Sequence, residues 1–270
     1  MWKPALRLAA ILAISLPCIV RAESTEAPAL PHHLALAREL LANVAPEANA
    51  YTHRGGITFP GDAPGATHSA RTDCSGLVHE LLRRAGSPAA SEMTTLRPRR
   101  FHPLAEDFAH SIAREVGFIR LTRIDELQPG DIIAYAWVEP EDARAYGSTG
   151  HVMLIDSPPR EIAPAGPQVA GLRQHEIRVI DSSRSWLGPD DSRILSPTRR
   201  ITGLGQGRIR LYATEQGEIV GFARTFRNSK LHPLVPGHWS ETRPKAGAIG
   251  RPKPPADPLT RRAGAVADSG

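Results

Sequence analysis

Cysteine is nearly absent from this chain. Of 270 residues only Cys18 and Cys74 are cysteines, and Cys18 falls in what reads as a cleaved leader, so the mature protein is expected to keep Cys74 alone. A lone thiol excludes an intramolecular disulfide framework. In an exported protein it is buried and inert, joined to another chain, or kept for its chemistry. Long apolar runs are absent too, apart from Leu8–Val20, which is short for a bilayer span and follows the basic residues Lys3 and Arg7. That pattern, closed by the small Ala22, reads as a secretory signal over 1–22, with no integral membrane span after it. No histidine pair has the spacing of a zinc-binding helix: His79-Glu80 lacks a second histidine at position 83, and no metal or other cofactor is expected. Excess positive charge is absent from the body. The chain carries +5, but residues 1–22 hold three basic and no acidic residues, and 229–270 hold seven basic and three acidic, which leaves 23–228 at −2. Nucleic acid is therefore not an expected partner, because its binding needs a basic face. Arg97-Pro98-Arg99-Arg100 is a local exception and reads as a solvated loop.

What is present is an ordered run of amphipathic segments. Apolar spacing predicts helices over about 32–45, from Leu77 to Ala85 with Gly86 as a stop, and across Leu104, Phe108 and Ile112. A loop rich in Gly, Pro and Thr separates the first two, through about residue 72. Short strand patterns follow at Gly117–Leu121, Ile132–Trp137, His151–Ile155, Ile177–Ile180, Ile209–Tyr212 and Ile219–Phe222, and Gln128-Pro129-Gly130-Asp131 reads as a turn. Helices first and an antiparallel sheet later is the segregated order of an α+β domain. The expected boundaries are a helical segment over 23–48, one domain over 49–228, and a basic, Pro- and Gly-rich tail over 229–270 that reads as disordered.

Cys74 sits in Thr72-Asp73-Cys74-Ser75-Gly76-Leu77-Val78, at the start of an apolar helix. Asp73 is a natural N-cap. The unpaired N–H groups of a helix start favour a thiolate and can hold the oxyanion that forms when sulfur adds to an amide. Small Ser75 and Gly76 let a substrate approach the backbone. A nucleophilic cysteine needs a base. His79 is near in sequence but lies roughly 140° around the helix from Cys74. His151 follows the flexible Gly147-Ser148-Thr149-Gly150 and opens the apolar run Val152-Met153-Leu154-Ile155, which would hold its ring rigidly at a sheet edge. Asp181, after Ile177-Arg178-Val179-Ile180, is the candidate to orient the imidazole, if the two strands are neighbours. A strand-ending turn would explain Asp181 equally simply.

Taken together, Asp73-Cys74-Ser75-Gly76-Leu77-Val78, Leu127-Gln128-Pro129-Gly130-Asp131-Ile132-Ile133 and Gly150-His151-Val152 resemble the NlpC-type cell-wall cysteine peptidases across about residues 49–225. The resemblance implies a papain-like α+β fold with N-terminal helices packed on an antiparallel sheet. It implies Cys74 as nucleophile, His151 as base and Asp181 as third residue, with peptidoglycan stem peptides as substrate, in the periplasm or cell envelope. In that family the third residue is most often histidine, and a Tyr-x-x-Gly-Gly precedes the cysteine. Here Tyr51-Thr52-His53-Arg54-Gly55-Gly56 carries one extra residue. Tyr51 and Ser75 are the candidates to meet substrate or oxyanion. The same thioester could pass to an amine or alcohol, an acyl transfer, and a non-catalytic envelope binding protein could keep the fold. A monomer is expected.

Overall fold

The structure is a computed structural model and describes residues 29–96, 102–137, 148–226, 230–234 and 245–255. The predicted leader, the arginine cluster at 97–100 and much of the tail lie outside the described residues. Four helices come early: α1 (His32–Asn43), α2 (Cys74–Arg84), α3 (Pro88–Leu96) and α4 (Ala105–Ala113). Three short strands lie between α1 and α2: β1 (Asn49–Ala50), β2 (Gly56–Thr58) and β3 (Ser69–Arg71). After the helices come β4 (Phe118–Leu121), β5 (Ile132–Trp137), β6 (Gly150–Ile155), β7 (Arg160–Ile162), β8 (Leu172–Ser183), β9 (Gly203–Thr214), β10 (Ile219–Arg224), β11 (His232–Pro233) and β12 (Lys245–Pro252). The fold is α+β with a mostly antiparallel sheet. No described helix is long and apolar enough to cross a membrane.

The large sheet runs β11-β10-β9-β8-β6-β5-β12-β4, with β7 alongside β8. It curls until its ends approach. Ile219 N–H donates to Thr122 C=O and Ile124 N–H to Gly217 C=O, both at 2.8 Å. One face, with Ile133, Met153, Ile155, Val179, Ile209 and Phe222, closes an inner core. The other face, with Ile132, Ala134, Val152, Leu154 and Ile180, packs under the helices against Leu34, Leu77, Leu81 and Phe108. Both faces of the central strands are buried, so they read as continuous apolar runs rather than as an alternation. α1 shares the helix-side core through Leu34, Ala37 and Leu40, so the 23–48 segment is part of the domain in its described portion.

Two expectations are corrected. The tail is not disordered throughout. Lys245–Pro252 forms β12, hydrogen-bonded to β5 on one edge and β4 on the other. Its Arg251 guanidinium donates to the fully buried Asp131 at 2.8 and 3.1 Å. The glycines that suggested disorder make room: a Cβ on Gly247 would lie 2.6 Å from Leu234, and one on Gly250 2.7 Å from Ile112. Composition misleads here because such a strand takes its order from neighbours on both sides, not from its own side chains. The domain therefore extends past 228, to at least 252. The Gly-, Pro- and Thr-rich stretch before residue 72 is also not all loop, since β2 and β3 lie in it.

Candidate active site

Asp73 caps α2 as its sequence position suggested: Oδ1 accepts from Gly76 N–H at 2.8 Å. It also accepts from the Ser75 hydroxyl at 3.1 Å, and Ser75 is buried. That hydroxyl is engaged within the cap, not turned to a substrate. α2 ends as predicted, with Gly86 at φ +68° and Ser87 N–H donating to Leu82 C=O at 2.9 Å. Its inner face buries Leu77, Val78, Leu81 and Leu82, each worth roughly 1.5–3 kcal/mol. Cys74 thus stands at the start of a firmly seated helix, 4% exposed.

The small sheet joins Tyr51 to this helix start. β1 and β3 pair in parallel, Asn49 opposite Ala70 and Ala50 opposite Arg71. The next residues, Tyr51 and Thr72, therefore emerge together just before Cys74. Asn49 fastens the small sheet to β9, donating to Leu204 C=O at 2.8 Å and accepting from Leu204 N–H at 2.7 Å. Ser182 of β8 donates to Thr72 C=O at 2.6 Å and holds the same approach from the other side.

β6 and β8 are neighbours, with Leu154 opposite Ile180. That register puts His151 and Asp181 on a diagonal, within reach of long side chains. The His151 Nε2–H donates to Asp181 Oδ2 at 2.7 Å. Nδ1 is then the nitrogen left for Cys74, whose sulfur is close enough to this ring to act on its pKa. Burial acts to lower the His151 pKa. The negative sulfur of Cys74 and the Asp181 carboxylate outweigh it and raise the value to about 9. Gly150 sets up this strand start. At φ +153° it lies against β5, where a Cβ would meet Tyr135 O at 1.9 Å.

Arg193, which no sequence signal singled out, lies behind Asp181. Its side chain and that of Asp181 are 0% exposed, and Arg193 Nη1 is 2.8 Å from Asp181 Oδ1. Arg193 also donates twice to Asp191, at 2.8 and 2.7 Å, and to Gly203 C=O at 3.1 Å. Burial acts to raise the Asp181 pKa. Arg193 and His151 together hold it below the usual carboxylate value. The guanidinium lies where side chains are missing from β9. A Cβ on Gly205 would be 2.5 Å from Arg193 Nε, and one on Gly207 2.9 Å from Asp191 Oδ2. Gly203-x-Gly205-x-Gly207 in a strand marks a close approach on one face, and that alternation is the clue available in the sequence.

Tyr51, Tyr135, Trp137 and His151 line the cleft with Arg184 and Arg224. Tyr135 stacks with His232 of β11, rings 4° apart in plane and 6.5 Å between centroids, and its ring is 6.1 Å from that of His151. His232 thus packs behind the site. Burial pushes the Tyr135 pKa up to about 12, and it pushes the Tyr51 pKa up as well, helped by negative charge at Cys74 and Asp73. Both phenols stay protonated and able to donate. His79 turns away, its Nε2 lying 3.2 Å from Thr94 Oγ1 on α3. Among the described residues no cluster of His, Cys, Asp and Glu could hold a metal ion.

No family model matches the chain, and no solved structure matches it. It is 31% identical over 221 residues to the uncharacterized protein R653 of Acanthamoeba polyphaga mimivirus, covering 77% of this chain and 96% of the viral protein. The chain belongs to the same family as that protein.

Proposed function

We propose that this protein is a cysteine-dependent amide hydrolase of the cell envelope, a papain-like enzyme of NlpC type that cleaves peptidoglycan stem peptides. The observation that carries the reading is the line from Cys74 through His151 to Asp181, with the sulfur at a capped helix N-terminus and the imidazole bonded at 2.7 Å to a carboxylate. Such a set is what attack on an amide needs. The Cys74 thiolate adds to the carbonyl carbon. The negative oxygen that results is met by N–H groups of the first turn of α2 and by the Tyr51 hydroxyl. The His151 imidazolium gives its proton to the amine nitrogen as the C–N bond breaks, leaving a thioester. Water then loses a proton to His151 and attacks that thioester. The C–S bond breaks, the acid leaves, and the thiolate–imidazolium pair is restored.

Mass spectrometry of purified peptidoglycan treated with mature protein tests this directly. Shortened stem peptides with wild type and none with Cys74→Ala are expected. Equal processing by both proteins would sink the catalytic reading.

A further inference from the structure

The described walls of the cleft are charged in one sense. Among the six residues that matter here, Tyr51, Tyr135, Trp137 and His151 make an aromatic and imidazole lining, and Arg184 and Arg224 supply two guanidiniums; among the described residues no Asp or Glu lines this cleft. Several surface arginines elsewhere on the protein are engaged. Arg84 reaches Asp62, Arg208 reaches Asp190 and Glu176, and Arg160 reaches Glu176. Among the described residues no hydrogen bond or ion pair holds the guanidinium of Arg184 or Arg224; Arg54, Arg114, Arg120 and Arg200 are also without one, but of these six arginines Arg184 and Arg224 are the two that line the cleft. Arg184 is exposed and lies over the Tyr51 ring, 5.0 Å to its centroid, so the ring fixes it without neutralising it. Arg224 is half-buried at the end of β10, close enough to Tyr135 to pull down that phenol's pKa against the effect of burial. Of the described carboxylates beside the reacting groups, Asp181 is committed to His151 and Arg193 and Asp73 to the cap of α2.

A body slightly acidic as a whole therefore presents, at this opening, two guanidiniums with no acidic partner among the described residues. Half-burying such a group without a partner is unfavourable unless a ligand completes it. A guanidinium's planar fork matches a carboxylate in two parallel hydrogen bonds. We propose that Arg184 and Arg224 select acyl substrates that carry a free carboxylate close to the scissile amide. The Tyr51 and Tyr135 rings take the adjoining apolar part. This rests on Cys74 being the nucleophile, and it adds a substrate charge class that the triad alone does not specify.

Alkylation of Cys74 measures that selection without any natural substrate. Iodoacetate and iodoacetamide react with a thiolate by the same displacement of iodide and differ in bearing a carboxylate or a neutral amide. The ratio of their rates, at low ionic strength and pH 7, should exceed that of a model thiol. Arg184→Gln and Arg224→Gln should each lower the ratio about two- to fivefold, and Arg184→Glu should lower it further, the range expected for one partly screened charge. Raising salt to about 1 M should flatten the wild-type preference. Arg160→Gln, on β7 away from the cleft, controls for total charge and should leave the ratio alone. Circular dichroism establishes that each variant is folded. A ratio unchanged in both cleft variants, or lowered as much by Arg160→Gln, overturns the proposal. No labelling of Cys74 by either reagent overturns the nucleophile reading, and this inference with it.

Discussion

Replacing Asp181 with asparagine keeps the shape of the side chain and removes its charge. The contact at stake is a hydrogen bond of 2.7 Å between an imidazolium and a fully buried carboxylate. A charge-assisted bond of this kind is worth about 1.5–3 kcal/mol. At 1.36 kcal/mol per pKa unit, its loss lowers the His151 pKa by about 1–2 units. The wild-type value of about 9 should therefore fall to between about 7 and 8 in Asp181→Asn. NMR of the ring nitrogens of His151 reads this midpoint directly, with no substrate present. The same shift should appear as slower alkylation of Cys74 near pH 7, since the thiolate is held by the imidazolium. Stability moves with it. A folded-state pKa raised from 6.5 to about 9 means that the folded protein holds a proton the unfolded chain releases. This contribution is complete below about pH 6.5 and is lost as pH rises through about 9. The wild type should show that decline in thermal unfolding, and Asp181→Asn should show less of it. A midpoint within about 0.3 units of wild type would refute the reasoning, because one unit is already the least that a bond of this class should contribute.

Other substitutions probe the supports of this pair. Arg193→Met leaves Asp181 and Asp191 buried without their cation and should cost about 3–5 kcal/mol in denaturant unfolding; a loss below about 1 kcal/mol would show the network to be incidental. Gly205→Ala drives a Cβ to 2.5 Å from Arg193 Nε and should destabilise by about 1–3 kcal/mol, seen as a lower unfolding midpoint. Gly150→Ala sets a Cβ 1.9 Å from Tyr135 O and should break the start of β6, abolishing Cys74 reactivity with an anionic or a neutral alkylating reagent. A chain ending at residue 244 lacks a strand bonded on both edges and should fail to give a cooperative thermal transition; full stability would contradict the place of β12 in the sheet.

Much of the local structure was legible in the amino-acid order, because caps, stops and apolar spacing act within a few residues. Asp73 before Cys74, Gly86 at the end of α2, the turn at Gly130, and the apolar runs of β5 and β6 each carry their own signal. So does the position of Cys74 at a helix start, and that much of the candidate site needs no tertiary information. The meeting of His151 with Asp181 does, since it depends on the register of β6 against β8 across 30 residues. Arg184 and Arg224 facing the cleft had no signature at all, and for Arg193 behind the carboxylate the alternating glycines of β9 mark only that something packs close, not what. An arginine in a loop looks the same whether solvent or a buried carboxylate receives it. β12 is the sharpest case, a Gly- and Pro-rich segment with no periodicity of its own that becomes an internal strand. Its strand partners lie more than 100 positions earlier, and only the closed sheet brings them to it.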